Sequence, residues 1–226
     1  DYQIYKLTIK DQIYQSLIYD NRYLYILTGI KNTIIMAIFA VLIGIIIGLL
    51  IAIIRNSYET NKKLKILNTI AKTYVSLVRG TPVLLQLMII YYIIFASVNI
   101  NIVLVGIIAF GLNSAAYVSE IIRAGITSID KGQLEGGRAL GLTYKETMKL
   151  VILPQAIKNV IPALGNEFIT LLKETSVAGY IGIIELTKAG DIISSRTYNY
   201  FFPLILTAII YLIMTLGLSS IIKKLE

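Results

Sequence analysis

The sequence predicts an all-α membrane protein with five transmembrane helices and one long hydrophilic elbow between the third and fourth. Three observations carry that expectation. Of the 226 residues, 56% are hydrophobic and only 15% charged, outside the range of a water-soluble domain. The apolar residues fall in long runs rather than at the spacing of an amphipathic surface helix. The basic residues flank those runs, so the net charge of +8 reads as a topology signal and not as a nucleic-acid footprint.

A single domain, 1–226, accounts for the whole chain. Residues 1–24 are rich in tyrosine, with Tyr2, Tyr5, Tyr14, Tyr19 and Tyr23, and are expected to form an external interfacial segment whose rings sit at headgroup level. They lack the basic-then-apolar order of a signal peptide. Residues 33–54 are unbrokenly apolar and, at about 1.5 Å per residue, cross a hydrocarbon core of roughly 30 Å. Gly44 and Gly48 in this span form a G-x-x-x-G pair that permits close helix approach. Further spans are expected at 82–98 (begun earlier, around 66–78), at 102–118, at 152–172 and at 201–222. The fourth carries Pro154, Pro162, Asn166 and Glu167, and Pro162 is expected to kink it.

Most Lys and Arg fall in 55–79, in 123–158 and at Lys223 and Lys224, whereas the connector 97–101 has none. The positive-inside rule then places the N-terminus outside, and the C-terminus and both basic connectors in the cytoplasm.

The elbow, 126–153, reads as a helix, a sharp turn and a second helix. Asp130 is the expected N-cap of the first helix, with Gln133 completing a reciprocal cap. Gly141 closes it in the left-handed conformation, and Thr143 with Glu146 opens the next as a capping box. Gly136 and Gly137 lie inside the first helix at a cost of about 1 kcal/mol each against Ala. They suit either close approach by a partner or a frayed loop.

Without Cys, His or Trp the chain has no disulfides, no thiolate or imidazole metal site and no histidine-based nucleophile. It has no G-x-x-x-x-G-K-[ST] loop for nucleotide phosphates. Polar groups inside spans are therefore the candidates: Glu167, Asn166, Asn113, Ser114 and Gln86. They suit a polar cavity. They also suit a neutralised or Lys173-paired Glu167 with amides bonding between helices. Glu120 and Arg123, three apart on the third span, read as an ion pair.

"EGGRALG" from Glu135 with "ILP" from Ile152 resembles the loop of ABC importer permeases, where Ala-Ala usually stands in place of Gly136-Gly137. "TGIKNTI" from Thr28, "RGTPVLLQL" from Arg79, "AAYVSEIIRAGITSI" from Ala115, "LPQAIKNVIPAL" from Leu153 and "LGNEFITLLKETS" from Leu164 resemble the polar amino-acid branch of that family. The resemblance implies a type I ABC importer permease of five helices in a bacterial inner membrane, paired with a second permease copy, a homodimer being favoured. It implies an ATPase subunit contacted by Glu135, Gly136, Gly137, Arg138 and Gly141. It also implies an extracellular amino-acid-binding protein, with ATP and magnesium on the ATPase and no cofactor in this chain. Glu167, Asn166, Asn113, Ser114 and Gln86 would line the pathway, and the acid favours arginine, lysine or histidine as cargo. Neutral or acidic amino acids are the alternative, and a proton-coupled carrier using Glu167 the more distant one.

Overall fold

The computed structural model describes residues 8–224 and is helical throughout its ordered elements. Tyr2 and Tyr5 of the interfacial segment lie outside the described residues. Helix α1 (Ile9–Ile13) opens on a Thr8–Asp11 capping box and continues through wider and tighter turns to Asn21. Tyr14, Tyr19 and Tyr23 are exposed along this stretch.

Helix α2 (Tyr23–Asn61) contains the first apolar run but extends well beyond both of its ends. It closes at Lys62, whose left-handed backbone returns its N–H to the Tyr58 carbonyl. Helix α3 (Lys65–Gly80) runs back along it. Thr81 is extended because a proline follows it, and α4 (Val83–Ile89, continued to Ile94) leaves at 112° to α3. The second apolar segment, expected at 82–98 with a start around 66–78, is therefore a bent pair of helices.

Helix α5 (Ile102–Thr127) is capped by the Asn101 side chain, which accepts from Val103 N at 2.8 Å, and it passes 118 to reach the elbow. Helices α6 (Lys131–Ala139) and α7 (Tyr144–Thr147) form the elbow. A widened turn leads on into α8 (Leu153–Glu174), which runs continuously through Pro162. A tight turn from Thr175 to Ile181 leads to a short helix α9 (Leu186–Thr197) that the apolar pattern did not announce. Helix α10 (Phe201–Ile222) coincides with the fifth expected run.

Helices α2, α5 and α10 are long and apolar enough to cross a membrane, and the bent α3–α4 pair adds a fourth candidate. The 22 residues of α8 match α10 in length, but its polar residues keep it out of that set.

The core lies between α2 and α5. Met36, Ala37, Ala40, Gly44 and Gly48 make a buried stripe on α2, and a Cβ at Gly44 would fall 2.8 Å from Ser114 Oγ. One at Gly48 would fall 2.9 Å from the Ala115 carbonyl. The G-x-x-x-G pair thus serves packing within this chain. Phe110, Leu87, Leu171 and Ile183 join Met36 and Ala40 in the main cluster, bringing α4, α8 and the turn before α9 onto α5. By contrast, α10 buries only Pro203, Thr207 and Ile222 and presents Leu212, Ile213 and Leu216 outward.

Candidate functional site

Two of the five expected pathway residues meet across α5 and α8. Ser114 is fully buried because Gly44 lets α2 close over it, and its hydroxyl donates to Glu167 Oε1 at 2.8 Å. Glu167 is half-buried, and its Oε2 has no hydrogen bond among the described residues. Lys173 makes no ion pair with it, so the paired alternative is not what the fold adopts. Seven residues on, the half-buried Glu174 lies on the same face of α8, about 10 Å away. Asn166 is exposed on a different side of α8 from its neighbour. A carboxylate fixed by one hydroxyl, with its second oxygen available, can accept a charge-assisted hydrogen bond from an ammonium or guanidinium group.

The other two residues meet elsewhere. Asn113 Nδ2 donates to Gln86 Oε1 at 2.9 Å. The Gln86 amide nitrogen points back at the α3–α4 break, 2.7 Å from the Val78 carbonyl, 3.0 Å from that of Thr81 and 2.8 Å from the Thr81 hydroxyl. Tyr74 donates to the Leu112 carbonyl beside them. Gln86 and Asn113 therefore clasp the bend to α5.

Glu120 does pair with Arg123, at 3.0 Å, but Arg55 of α2 also binds its other oxygen. The spacing along α5 foretold the first contact. Nothing in the sequence placed Arg55, 65 positions away, beside it.

Sequence reasoning also missed Glu185, which is 1% exposed. It caps α9 by accepting from Thr187 N at 2.6 Å and Lys188 N at 2.7 Å, and it accepts from the Tyr211 hydroxyl at 3.1 Å. The E-x-x-K opening of a short polar helix was the available signal. A cleft of about 570 Å³ lies beside it, lined by Ser176, Tyr180, Thr187, Lys188 and Asp191 among others. No group of three or more acidic side chains gathers to hold a metal among the described residues.

The elbow has the expected helix-turn-helix form with two corrections. Asp130 caps α6 through Gly132 N at 2.7 Å, but Gln133 does not return the bond, its amide lying 3.5 Å from that of Gln155. Gly137 is buried against Thr147, and a Cβ there would come within 2.4 Å of Thr147 Cγ2, so its smallness serves packing inside the elbow. Gly136 has open space around it, and Glu135 and Arg138 are exposed. Gly141, at φ +86°, closes α6 with its N–H on the Arg138 carbonyl and the Leu142 N–H on that of Gly137. Glu146 accepts from both Thr143 N and its hydroxyl, and these bonds hold its pKa below the usual glutamate range.

Comparison with known proteins bears on the family and the fold. The family described as binding-protein-dependent transport system inner membrane component matches residues 41–226. A Rickettsia typhi permease protein bearing the name of a glutamine transport system, GlnP, is 44% identical over 207 residues, 90% of this chain and 92% of that one. The arginine transport system permease protein ArtQ of Bacillus subtilis is 41% identical over 204 residues, 89% of this chain and 91% of that one. In three dimensions, the crystal structure of an amino acid ABC transporter with histidines superposes with a TM-score of 0.82 at 42% identity. It covers 91% of this chain and 95% of its own. The methionine transporter MetNI, at 19% identity and a TM-score of 0.71 over 90% of this chain and 97% of its own, shares the fold.

Proposed function

The chain belongs to the binding-protein-dependent transport system inner membrane component family, and on that footing we propose that it forms the pathway of an ATP-driven importer of basic amino acids. The observation that carries the cargo class is Glu167, fixed through one oxygen by Ser114 and open at the other. A half-buried carboxylate with a vacant acceptor favours a cationic ligand over a neutral or acidic one. Glu167 would hold the cargo, with Ser114 fixing its carboxylate from behind and Asn113 and Gln86 setting the wall beside them. Asn166 would face a different surface of the pathway. Relatives are named for both glutamine and arginine transport, and the Glu167 carboxylate supports the arginine side of that pair.

The half-exposed face of α8 supports pairing with a second permease, a homodimer being favoured, so that two such faces enclose one pathway. In this reading α8 and the bent α3–α4 pair join α2, α5 and α10 as five spans. The N-terminus is outside and the elbow cytoplasmic, in a bacterial inner membrane. The exposed Glu135, Gly136 and Arg138 would seat on the ATPase, which binds ATP and magnesium, with Gly141 setting the angle of α6. An extracellular binding protein would deliver the amino acid.

The test is ATP hydrolysis by the reconstituted complex with its binding protein. Arginine should stimulate the native complex, and Glu167→Gln should reduce that stimulation at least about tenfold, the worth of a charge-assisted hydrogen bond. Any glutamine response should be unchanged. Undiminished arginine stimulation in the variant would remove Glu167 from the cargo site, and the absence of any co-purifying ATPase would overturn the reading as a whole.

A further inference from the structure

At the elbow end of the bundle, α2, α3 and α5 leave a small, strongly basic cleft that the transport reading does not use. It has a volume of about 250 Å³ and is lined by Arg55, Lys72, Val75, Ser76, Arg79 and Glu120. Three cations share it with one carboxylate, and that carboxylate is already engaged by Arg55 and Arg123. Lys72, Ser76 and Arg79 follow one another on one face of α3. Aromatic rings, not acids, hold two of the cations: the Arg79 guanidinium lies 5.5 Å from the Tyr117 ring, and the Lys72 ammonium 6.0 Å from that of Tyr58. The Arg55 side chain is 11% exposed, and its buried Nε has no hydrogen-bond partner among the described residues. A buried donor on a desolvated cation calls for an acceptor. Arg55 is also the first charged residue after the apolar run 33–54, which puts it at the depth of lipid headgroups.

We propose that this cleft binds a phosphate-bearing anion, either the phosphodiester of an anionic phospholipid or a soluble phosphate. Its oxygens accept from Arg55 Nε, Lys72, Ser76 and Arg79. Phosphate matches guanidinium geometry and offers more acceptors than Glu120 has to spare. Basic pockets between transmembrane helices take such headgroups. Elsewhere on α3, Ile66, Ile70 and Leu77 are exposed where acyl chains would lie. The inference rests on the membrane reading but not on the cargo, the ATPase or the sidedness of the chain.

Native mass spectrometry of the purified permease, exchanged into detergent with equal phosphatidylglycerol and phosphatidylcholine, reads lipid binding directly. The native protein should retain about fivefold more phosphatidylglycerol, and Lys72→Gln/Arg79→Gln should erase that preference. Ser76→Leu, which fills the cleft without changing its charge, should do the same. A thermal-shift series with inorganic phosphate against chloride at equal ionic strength separates the sources. Stabilisation by phosphate that is lost in both variants, without a lipid preference, assigns the cleft to a soluble phosphate. Neither effect in the native protein, or either effect persisting in the variants, overturns the proposal.

Discussion

Gly136 and Gly137 are adjacent and chemically identical, yet their surroundings differ completely. The first faces open space, and the second abuts a β-branched side chain whose hydroxyl is committed to the Thr143 carbonyl. Gly136→Ala should therefore stabilise α6 by up to about 1 kcal/mol through helix propensity alone. Gly137→Ala should cost about 1–3 kcal/mol, because Thr147 has little freedom to move away. Thermal denaturation of the purified protein distinguishes the two. The cap of α7 responds to pH instead. The pKa of Glu146 is depressed in the folded elbow, so the unfolded chain binds the proton more readily. The cap's contribution is complete above the ordinary glutamate pKa and is lost as pH falls through the lowered one. Protection of the Glu146 and Thr147 amides, corrected for intrinsic exchange, should hold down to about pH 4 and decline below it, and Glu146→Gln should flatten the profile.

At the level of elements, the most exacting contact is that of α2 on α5. Gly48→Ala would drive a methyl group to 2.9 Å from a backbone carbonyl, which cannot rotate aside. A loss of about 1–3 kcal/mol is expected, seen as lowered thermal stability in detergent, whereas Gly217→Ala on the open side of α10 should not lower stability. Local information explains what the sequence reading captured here. Apolar runs, the caps at Asp130 and Thr143 and the left-handed Gly141 depend on neighbours a few positions away. It also explains what the reading missed. Helix α9 is short and mixed in polarity, so no run marks it, and the bend at Thr81 lies inside a segment whose average hydropathy is high. Of the site, the Glu167–Ser114 pair was foreseeable as two polar residues at similar depth. The turn of Asn166 out of that pair, the commitment of Gln86 to a carbonyl and the arrival of Arg55 at Glu120 all depend on how helices rotate against each other. One-dimensional spacing does not record that rotation.

Across the whole molecule, polar chemistry is divided among separate levels. Glu185 and its cleft occupy the end where α9 begins, Glu167 and Ser114 the middle, the Arg55–Glu120–Arg123 group the elbow end, and exposed Arg138 and Glu135 the elbow itself. Helix α5 passes through three of these levels in one unbroken rod and continues toward the elbow through Ser128, whose hydroxyl accepts from Asn159 of α8 at 2.9 Å. The single amide of Gln86 gives that rod a further reach. It grips the end of α3 on one side and Asn113 on the other, so the corner between α3 and α4 behaves as a bell crank pinned to α5. A push along α5 should swing both arms together. In the proposed transport cycle, spin labels on α3 and α4 should keep a constant separation, while labels on α4 and α10 should not. Replacing Gln86 with leucine should let the crank slip, so that in the proposed complex ATP hydrolysis continues while amino-acid uptake into vesicles is lost.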